Sequence, residues 1–170
     1  LNLASYLNLP ILFFCENNQY AVSSPSSKFV AHNRIYERAK AFGVESLSVD
    51  GNKIDEVYNA VCKAKEYIIS NNRPYFIESE TYRQNGHSRS DALVYRTSEE
   101  EEKWRLNDPI KYYADLLQTE GLLNEGMFFD ICSEAEGEVE NAVKLCSENR
   151  EAISFEEAQS YVYADRGIDR

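Results

Sequence analysis

Apolar positions in the first half of the chain fall into three short runs separated by stretches of helical spacing. Leu9-Pro10-Ile11-Leu12-Phe13-Phe14-Cys15 is unbroken and bounded by turn formers, which predicts a strand buried on both faces of a parallel sheet. It stops at Glu16-Asn17-Asn18, and a polar loop rich in Ser and Pro, Ser23 to Ser27, follows. Ile35, Ala39 and Phe42 then take helical spacing up to Gly43, a C-cap candidate. Val44 to Val49 predicts a second strand closed by an Asp50-Gly51 turn, and Ile54, Val57, Val61, Ala64 and Ile68 mark a helix over 54–69. Pro74 precedes a third strand, Tyr75 to Thr81.

Strands alternating with helices at this spacing require crossover connections, so the fold class is α/β: a parallel sheet with flanking helices. Ligands of such sheets bind outside the carboxyl ends of the strands, which directs attention to the segments after residues 15, 49 and 81. Beyond Thr97, which forms a capping-box pattern with Glu100, the chain reads as all-helical. Asp108-Pro109 starts one helix. Another begins near Asn124, and its stripe Phe128, Ile131, Ala135, Val139, Ala142 and Cys146 is expected to be core or subunit contact. Residues 1–97 are therefore expected to form an α/β part and 98–170 a helical C-terminal extension of the same domain.

Composition narrows the function classes. With 43% hydrophobic and 28% charged residues over 170 positions, the chain has the make-up of a globular domain, and no apolar run is long enough to span a membrane. The first residues have no basic segment or cleavage site of a secretory signal. Leu1-Asn2-Leu3-Ala4 reads as mid-helix without a start signal, so a fragment of a larger polypeptide is expected. The net charge of −11 is concentrated in residues 98–170, where 7 Lys/Arg face 19 Asp/Glu, and this excludes a nucleic-acid partner. Glu99 to Glu102 is read as a solvated helix start, with a docking surface for a basic partner as the alternative. Cys15, Cys62, Cys132 and Cys146 lie far apart and are expected to be small buried hydrophobes in a reducing compartment.

Two of the three strand-end segments carry candidate chemistry. In Glu16-Asn17-Asn18-Gln19-Tyr20, an Asn side-chain oxygen and a backbone carbonyl two residues on can face one point, as a hard cation such as Mg²⁺ requires; Asn-Asn is equally a common turn dipeptide. Thr81 to Asp91 is a polar loop that offers Arg83 for bidentate phosphate contact and sets His87 beside Gly86. His32, the other histidine, has no nearby partner and is left without a role.

Taken together, Leu9-Pro10…Cys15-Glu16-Asn17-Asn18-Gln19-Tyr20-Ala21, Val49-Asp50-Gly51, Glu80-Thr81-Tyr82-Arg83…Gly86-His87-Ser88…Ser90-Asp91…Tyr95-Arg96 and Asp108-Pro109-Ile110 resemble the alpha subunit of the thiamine-diphosphate-dependent 2-oxo acid dehydrogenases. These are the decarboxylating components of the pyruvate, branched-chain 2-oxo acid and acetoin dehydrogenases. Val162-Tyr163-Ala164-Asp165 resembles the family's usual C-terminal ending, and the match covers the back half of such a subunit.

The resemblance implies a thiamine-diphosphate-binding fold with Mg²⁺ held by the Asn18 side chain and the Tyr20 carbonyl. It implies that Arg83 contacts the diphosphate and that His87 is the catalytic histidine at the active-site mouth, also near the cofactor. Ser88 matches the serine phosphorylated in mitochondrial members, though a structural role is expected here; Ser90, Asp91, Tyr95 and Arg96 match loop-ordering positions. The implied activity is oxidative decarboxylation of a 2-oxo acid, pyruvate or branched-chain, with acyl transfer to lipoamide. The implied partners are a beta subunit, in an assembly of two alpha and two beta chains, and a lipoyl-bearing acyltransferase component. The compartment is bacterial cytoplasm or mitochondrial matrix. The sequence departs from the family pattern in lacking the G-D-G element that supplies a further metal ligand, so the fragment alone is expected to be inactive. Its loop is also a residue shorter than in mitochondrial pyruvate dehydrogenase and has no second phosphorylatable serine. A non-catalytic scaffold paralogue and a transketolase-type enzyme are the alternative readings.

Overall fold

A computed structural model describes residues 1–31, 34–148 and 152–162 of the chain. His32 and Tyr163 to Asp165, singled out above, lie outside the described residues. The chain divides into two compact units, Leu1–Leu122 and Leu123–Arg170.

The first unit is built on a parallel sheet. A short helix, α1 (Asn2–Tyr6), leads into β1 (Leu12–Asn17); a two-residue hairpin, β2 (Tyr20–Ala21) and β3 (Ser24–Pro25), and a single 3₁₀ turn follow. Then come α2 (Ile35–Lys40), β4 (Glu45–Asp50), α3 (Ile54–Asn71) and β5 (Tyr75–Glu80). The strand order is β1-β5-β4, so the last strand enters between the first two, and both its pairings are parallel. The α/β class expected from the sequence is thus observed. The central position explains the burial: Tyr75 to Ser79 are all buried, whereas β1 has one neighbour and leaves Phe14 41% exposed. The apolar run of β1, expected to be buried on both faces, therefore sits on an edge strand among the described residues.

Alternation along β5 divides the core between two helices. Tyr75 and Ile77 pack with Ala60 and Ala64 of α3, while Phe76 packs with Ala39 of α2 and with Val44. Small residues at the contact points let both helices lie close to the sheet. The α2 stop is local chemistry: Gly43 takes φ +71° and Val44 N–H returns to the Ala39 carbonyl at 3.2 Å. Asn72 ends α3 in the same left-handed way, at φ +49°.

Helices α4 (Ser98–Leu106) and α5 (Pro109–Thr119) complete this unit. The Thr97 side chain accepts from Glu100 N–H, and Asp108 accepts from both Ile110 and Lys111 N–H with proline at the first helical position. The second unit holds α6 (Glu125–Glu148) and α7 (Phe155–Ser160), both within the stretch expected to be helical. The α6 stripe is not core: its Ile131 and Val139 are 55% and 64% exposed, and no residue of the helix is buried. Among the cysteines, expected to be buried, Cys15, Cys62 and Cys132 are half-buried and Cys146, on α6, is exposed. No helix among the described residues is long and apolar enough to cross a membrane.

Candidate functional site

The carboxyl ends of β1 and β5 lie side by side, because Asn17 pairs with Glu80 in the parallel register. Two successive Asx turns follow β1. Asn17 Oδ1 accepts from Gln19 N–H at 3.2 Å and Asn18 Oδ1 accepts from Tyr20 N–H at 3.1 Å. Gln19 takes φ +70° and Val22, at the hairpin tip, φ +57°, a left-handed conformation that a β-branched residue rarely adopts. The turn is stitched to β5 by Thr81 N–H to the Asn17 carbonyl, 3.0 Å, and Arg83 N–H to the Asn18 carbonyl, 3.4 Å.

A cavity of about 430 Å³ opens against this turn, lined by the polar Asn17, Asn18 and Tyr20 and by the apolar Phe29, Val30 and Ile35. An amide oxygen accepts two hydrogen bonds; the Asx turn uses one acceptor position of Asn18 Oδ1 and leaves the second. That oxygen and the nearby backbone carbonyls are hard donors of the type a divalent Mg²⁺ takes in small number from protein. The donor set therefore fits the cation. No group of three His, Cys, Asp or Glu with metal-binding geometry occurs among the described residues.

Arg83, first in the loop after Tyr82, donates through Nη2 to the Val22 carbonyl at 2.5 Å and to Tyr95 Oη at 2.9 Å. Its Nε is buried with no partner among the described residues, the condition of a cation that could still take an anionic oxygen. Tyr95 in turn donates to Asp91 Oδ2 at 2.6 Å, which also receives the His87 N–H at 2.9 Å, while Asp91 Oδ1 receives Leu93 N–H at 3.0 Å. These donors, the Tyr95 hydroxyl foremost, hold the Asp91 carboxyl down at about 2. His87 is exposed, as are Ser88 and Ser90, whose hydroxyls are 3.4 Å apart.

Arg96 is 8% exposed and lies over three rings, 4.6 Å from the Tyr20 centroid, 4.7 Å from Tyr82 and 5.5 Å from Tyr95. Tyr20 and Tyr82 both donate to Glu100 Oε1, at 2.6 and 2.9 Å. Burial first, and then the bond to Glu100, pushes the Tyr20 hydroxyl up to about 12 and Tyr82 further in the same direction. Trp104 stacks flat on Tyr82, 4.9 Å between centroids. Glu100, expected to complete a capping box on a solvated helix start, instead sends its side chain across to the tyrosines.

The structure thus brings Asn18, Tyr20, Arg83, Tyr95 and Arg96 into one connected cluster and reaches His87 through the Asp91 link. Neither Arg83 nor His87 lines the cavity beside Asn18. Glu100 and Asn17 were missed as site residues. Glu100 stands in the acidic run noted in the sequence, but its two partners lie 18 and 80 residues away.

The family described as dehydrogenase E1 component matches residues 1–153. Among curated relatives, the pyruvate dehydrogenase E1 component subunit alpha of Staphylococcus epidermidis is 34% identical over 146 residues, 85% of this chain and 40% of the relative. Those of Rickettsia bellii and Staphylococcus aureus are each 30% identical, covering 95% and 97% of this chain and 49% and 45% of the relative. The chain spans under half the length of these relatives.

Proposed function

The chain belongs to the dehydrogenase E1 component family, and from that premise we propose that it is part of the alpha subunit of a 2-oxo acid dehydrogenase. The reaction is oxidative decarboxylation of pyruvate or a branched-chain 2-oxo acid, with the acyl group passed to lipoamide on an acyltransferase partner. The beta subunit is the other half of the enzyme, and the exposed stripe of α6 is a candidate contact for a partner subunit. In this reading residues 1–97 supply the cofactor-facing part and 98–170 its helical extension, in a bacterial cytoplasm or a mitochondrial matrix.

The observation that carries the proposal is the adjacency at the carboxyl edge of the sheet of an oxygen-donor turn and an arginine-bearing loop. Thiamine diphosphate, when bound, supplies the electron sink for loss of carbon dioxide. Asn18 Oδ1 and the Tyr20 carbonyl would hold the Mg²⁺ that neutralises its diphosphate, and Arg83 would add a second positive charge to the same anion. Asp91 and Tyr95 orient the loop through the His87 N–H and Arg83 Nη2. They thereby hold His87 at the mouth of the site, where its imidazole can hold or give up a proton during transfer to the acceptor. Ser88, exposed beside His87, is assigned a structural role, and Ser90 and Arg96 join the loop-ordering set.

The test is reduction of an artificial electron acceptor by the full-length chain with its beta partner, dependent on thiamine diphosphate and Mg²⁺, across pyruvate, branched-chain 2-oxo acids and acetoin. Asn18→Ala is expected to weaken Mg²⁺ and cofactor binding together. His87→Ala is expected to depress turnover with a lipoyl acceptor while the fold is kept. A folded assembly that binds the cofactor but turns over none of these substrates would refute the assignment.

A further inference from the structure

One buried acid in the sheet is not used by that chemistry. Glu78 is 0% exposed at the middle of the central strand, between Cys15 of β1 and Ser48 of β4. Alternation places it on the α2 face of β5, two residues after Phe76. A carboxyl group there costs several kcal/mol to bury unless its oxygens are bonded. Both are: Oε1 accepts from Asn17 Nδ2 at 2.7 Å and Oε2 accepts from the Tyr36 backbone N–H at 2.8 Å. Tyr36 is in the first turn of α2, a helix with no side-chain cap of its own, and its carbonyl receives Ser46 Oγ at 2.8 Å.

These two bonds go to two elements that both contribute to the lining of one cavity. Asn17 begins the paired Asx turns, Asn17 to Gln19 and Asn18 to Tyr20, and α2 contributes Ile35 to the lining. With its Nδ2 fixed by Glu78, the Asn17 amide is locked with Oδ1 toward Gln19 N–H. The second turn starts from that fixed point. We propose that Glu78 is a positioning residue for the metal-holding turn, acting through Asn17 to orient Asn18 Oδ1 and the Tyr20 carbonyl toward a Mg²⁺–diphosphate group. The inference rests on the functional reading above. Its physical basis is that a ligand's affinity depends on what holds the ligand, and loss of such an outer partner lowers metal affinity by roughly 10- to 100-fold.

A merely structural carboxyl would have the same burial, so the test needs a pair of changes that restores the bonds with reversed polarity. In Glu78→Gln, the amide keeps its oxygen for Tyr36 N–H and sets an NH₂ against the NH₂ of Asn17. In the double variant Glu78→Gln/Asn17→Asp, the Gln NH₂ donates to one Asp oxygen while the other still accepts from Gln19 N–H. Every bond is then remade, and the net charge equals that of the parent. Ser46→Ala loosens the start of α2 without touching Asn17.

The experiment is calorimetric titration of Mg²⁺ into the assembled full-length enzyme at saturating thiamine diphosphate, with the thermal midpoint of each cofactor-free assembly measured alongside. Glu78→Gln is expected to raise the Mg²⁺ Kd by about 10-fold or more, and the double variant to return it to within about threefold of the parent. Ser46→Ala is expected to lower the midpoint without moving the Kd. If Glu78→Gln does not fold, Asn17→Ala breaks the same contact from the other side and is expected to show the same rise. A Glu78→Gln or Asn17→Ala assembly with the parent's Kd, or a folded double variant that stays weak, overturns the role of Glu78 alone. A parent assembly that binds neither Mg²⁺ nor thiamine diphosphate overturns the functional reading, and the role of Glu78 with it.

Discussion

Replacing Glu100 by Gln tests whether the tyrosine–arginine cluster is a designed electrostatic unit. One carboxylate oxygen takes the hydroxyls of Tyr20 and Tyr82 at 2.6 and 2.9 Å, and both rings face the Arg96 guanidinium. Hydrogen bonds to a charged acceptor contribute about 1.5–3 kcal/mol each, and neutral ones about 0.5–1.5. Gln keeps the oxygen and loses the charge, so the two bonds together should lose about 2–3 kcal/mol. Weaker polarisation of the two rings also reduces their attraction for Arg96. Both tyrosine pKa values are raised in the fold, Tyr20 to about 12. A group with a raised folded pKa contributes stability that is complete below its unfolded value, about 10, and is lost as the pH climbs through the folded value. The stability gap between the parent and Glu100→Gln should therefore be constant near neutrality and begin to narrow above about pH 10, the Tyr20 share being lost as the pH climbs through about 12 and the Tyr82 share at higher pH. Urea unfolding of the full-length protein across that range measures the gap, and the near-ultraviolet phenolate band reports ionisation directly. Two tyrosines should titrate at lower pH in the variant. An unchanged phenolate curve, or a gap below about 0.5 kcal/mol at neutral pH, refutes the reasoning.

Other positions give shorter tests. Gly51→Ala would drive a Cβ into Ser79 Oγ and to 2.9 Å from the Glu80 carbonyl oxygen, so a loss of about 1–3 kcal/mol is expected in thermal unfolding. Val22→Asn should relieve the left-handed strain at φ +57° and stabilise by about 1 kcal/mol, read from the same unfolding curves. Asp91→Asn should free the His87 loop, seen as several-fold faster tryptic cleavage after Arg89. The carboxyl of Asp91 is held at about 2, so its contribution to loop order is present above its unfolded value and lost as the pH falls through about 2. Amide exchange at His87 and Leu93 should accelerate over that acid range in the parent and show no such dependence in the variant.

The elements that periodicity and caps could announce are where the sequence indicates them. Gly43 ends α2, Asp108-Pro109 opens α5, and β4 and β5 begin within a residue of their apolar runs. The boundary of β1 slipped by three residues at its start because Leu9 and Pro10 continue an apolar run without entering the ladder, where pairing with Tyr75 begins at Leu12. Hydrophobicity registers burial, whereas the strand is defined by hydrogen bonds. The β2–β3 hairpin escaped notice for the opposite reason. Its turn places Val22 in a left-handed conformation that no local preference favours, and it is held from outside by Arg83 on the Val22 carbonyl.

The same division runs through the site. Asn18, Arg83 and the loop around His87 are legible because they lie at the carboxyl ends of strands the periodicity predicts, where ligands of parallel sheets bind, and because their motifs resemble those of a known family. The residues that organise them are not, since a buried acid inside an apolar strand and a glutamate in an acidic helix start look like a blemish and a solvated face. Glu78 and Glu100 acquire meaning from partners 42 and 61 residues distant for the first and 18 and 80 for the second. Burial of an acid is costly enough that such contacts must be nearly complete to persist, and here both oxygens of Glu78 are bonded. Each of these two acids ties the segment after β1 to another element of the same unit, Glu78 from the α2 side and Glu100 from the Tyr82 side. The turn that carries Asn18 and Tyr20 is therefore held at both ends by carboxyl groups that need not touch a ligand. A sequence reading that ranks residues by their own chemistry finds the hands of such a site and misses the wrists, because the fold alone brings them into reach.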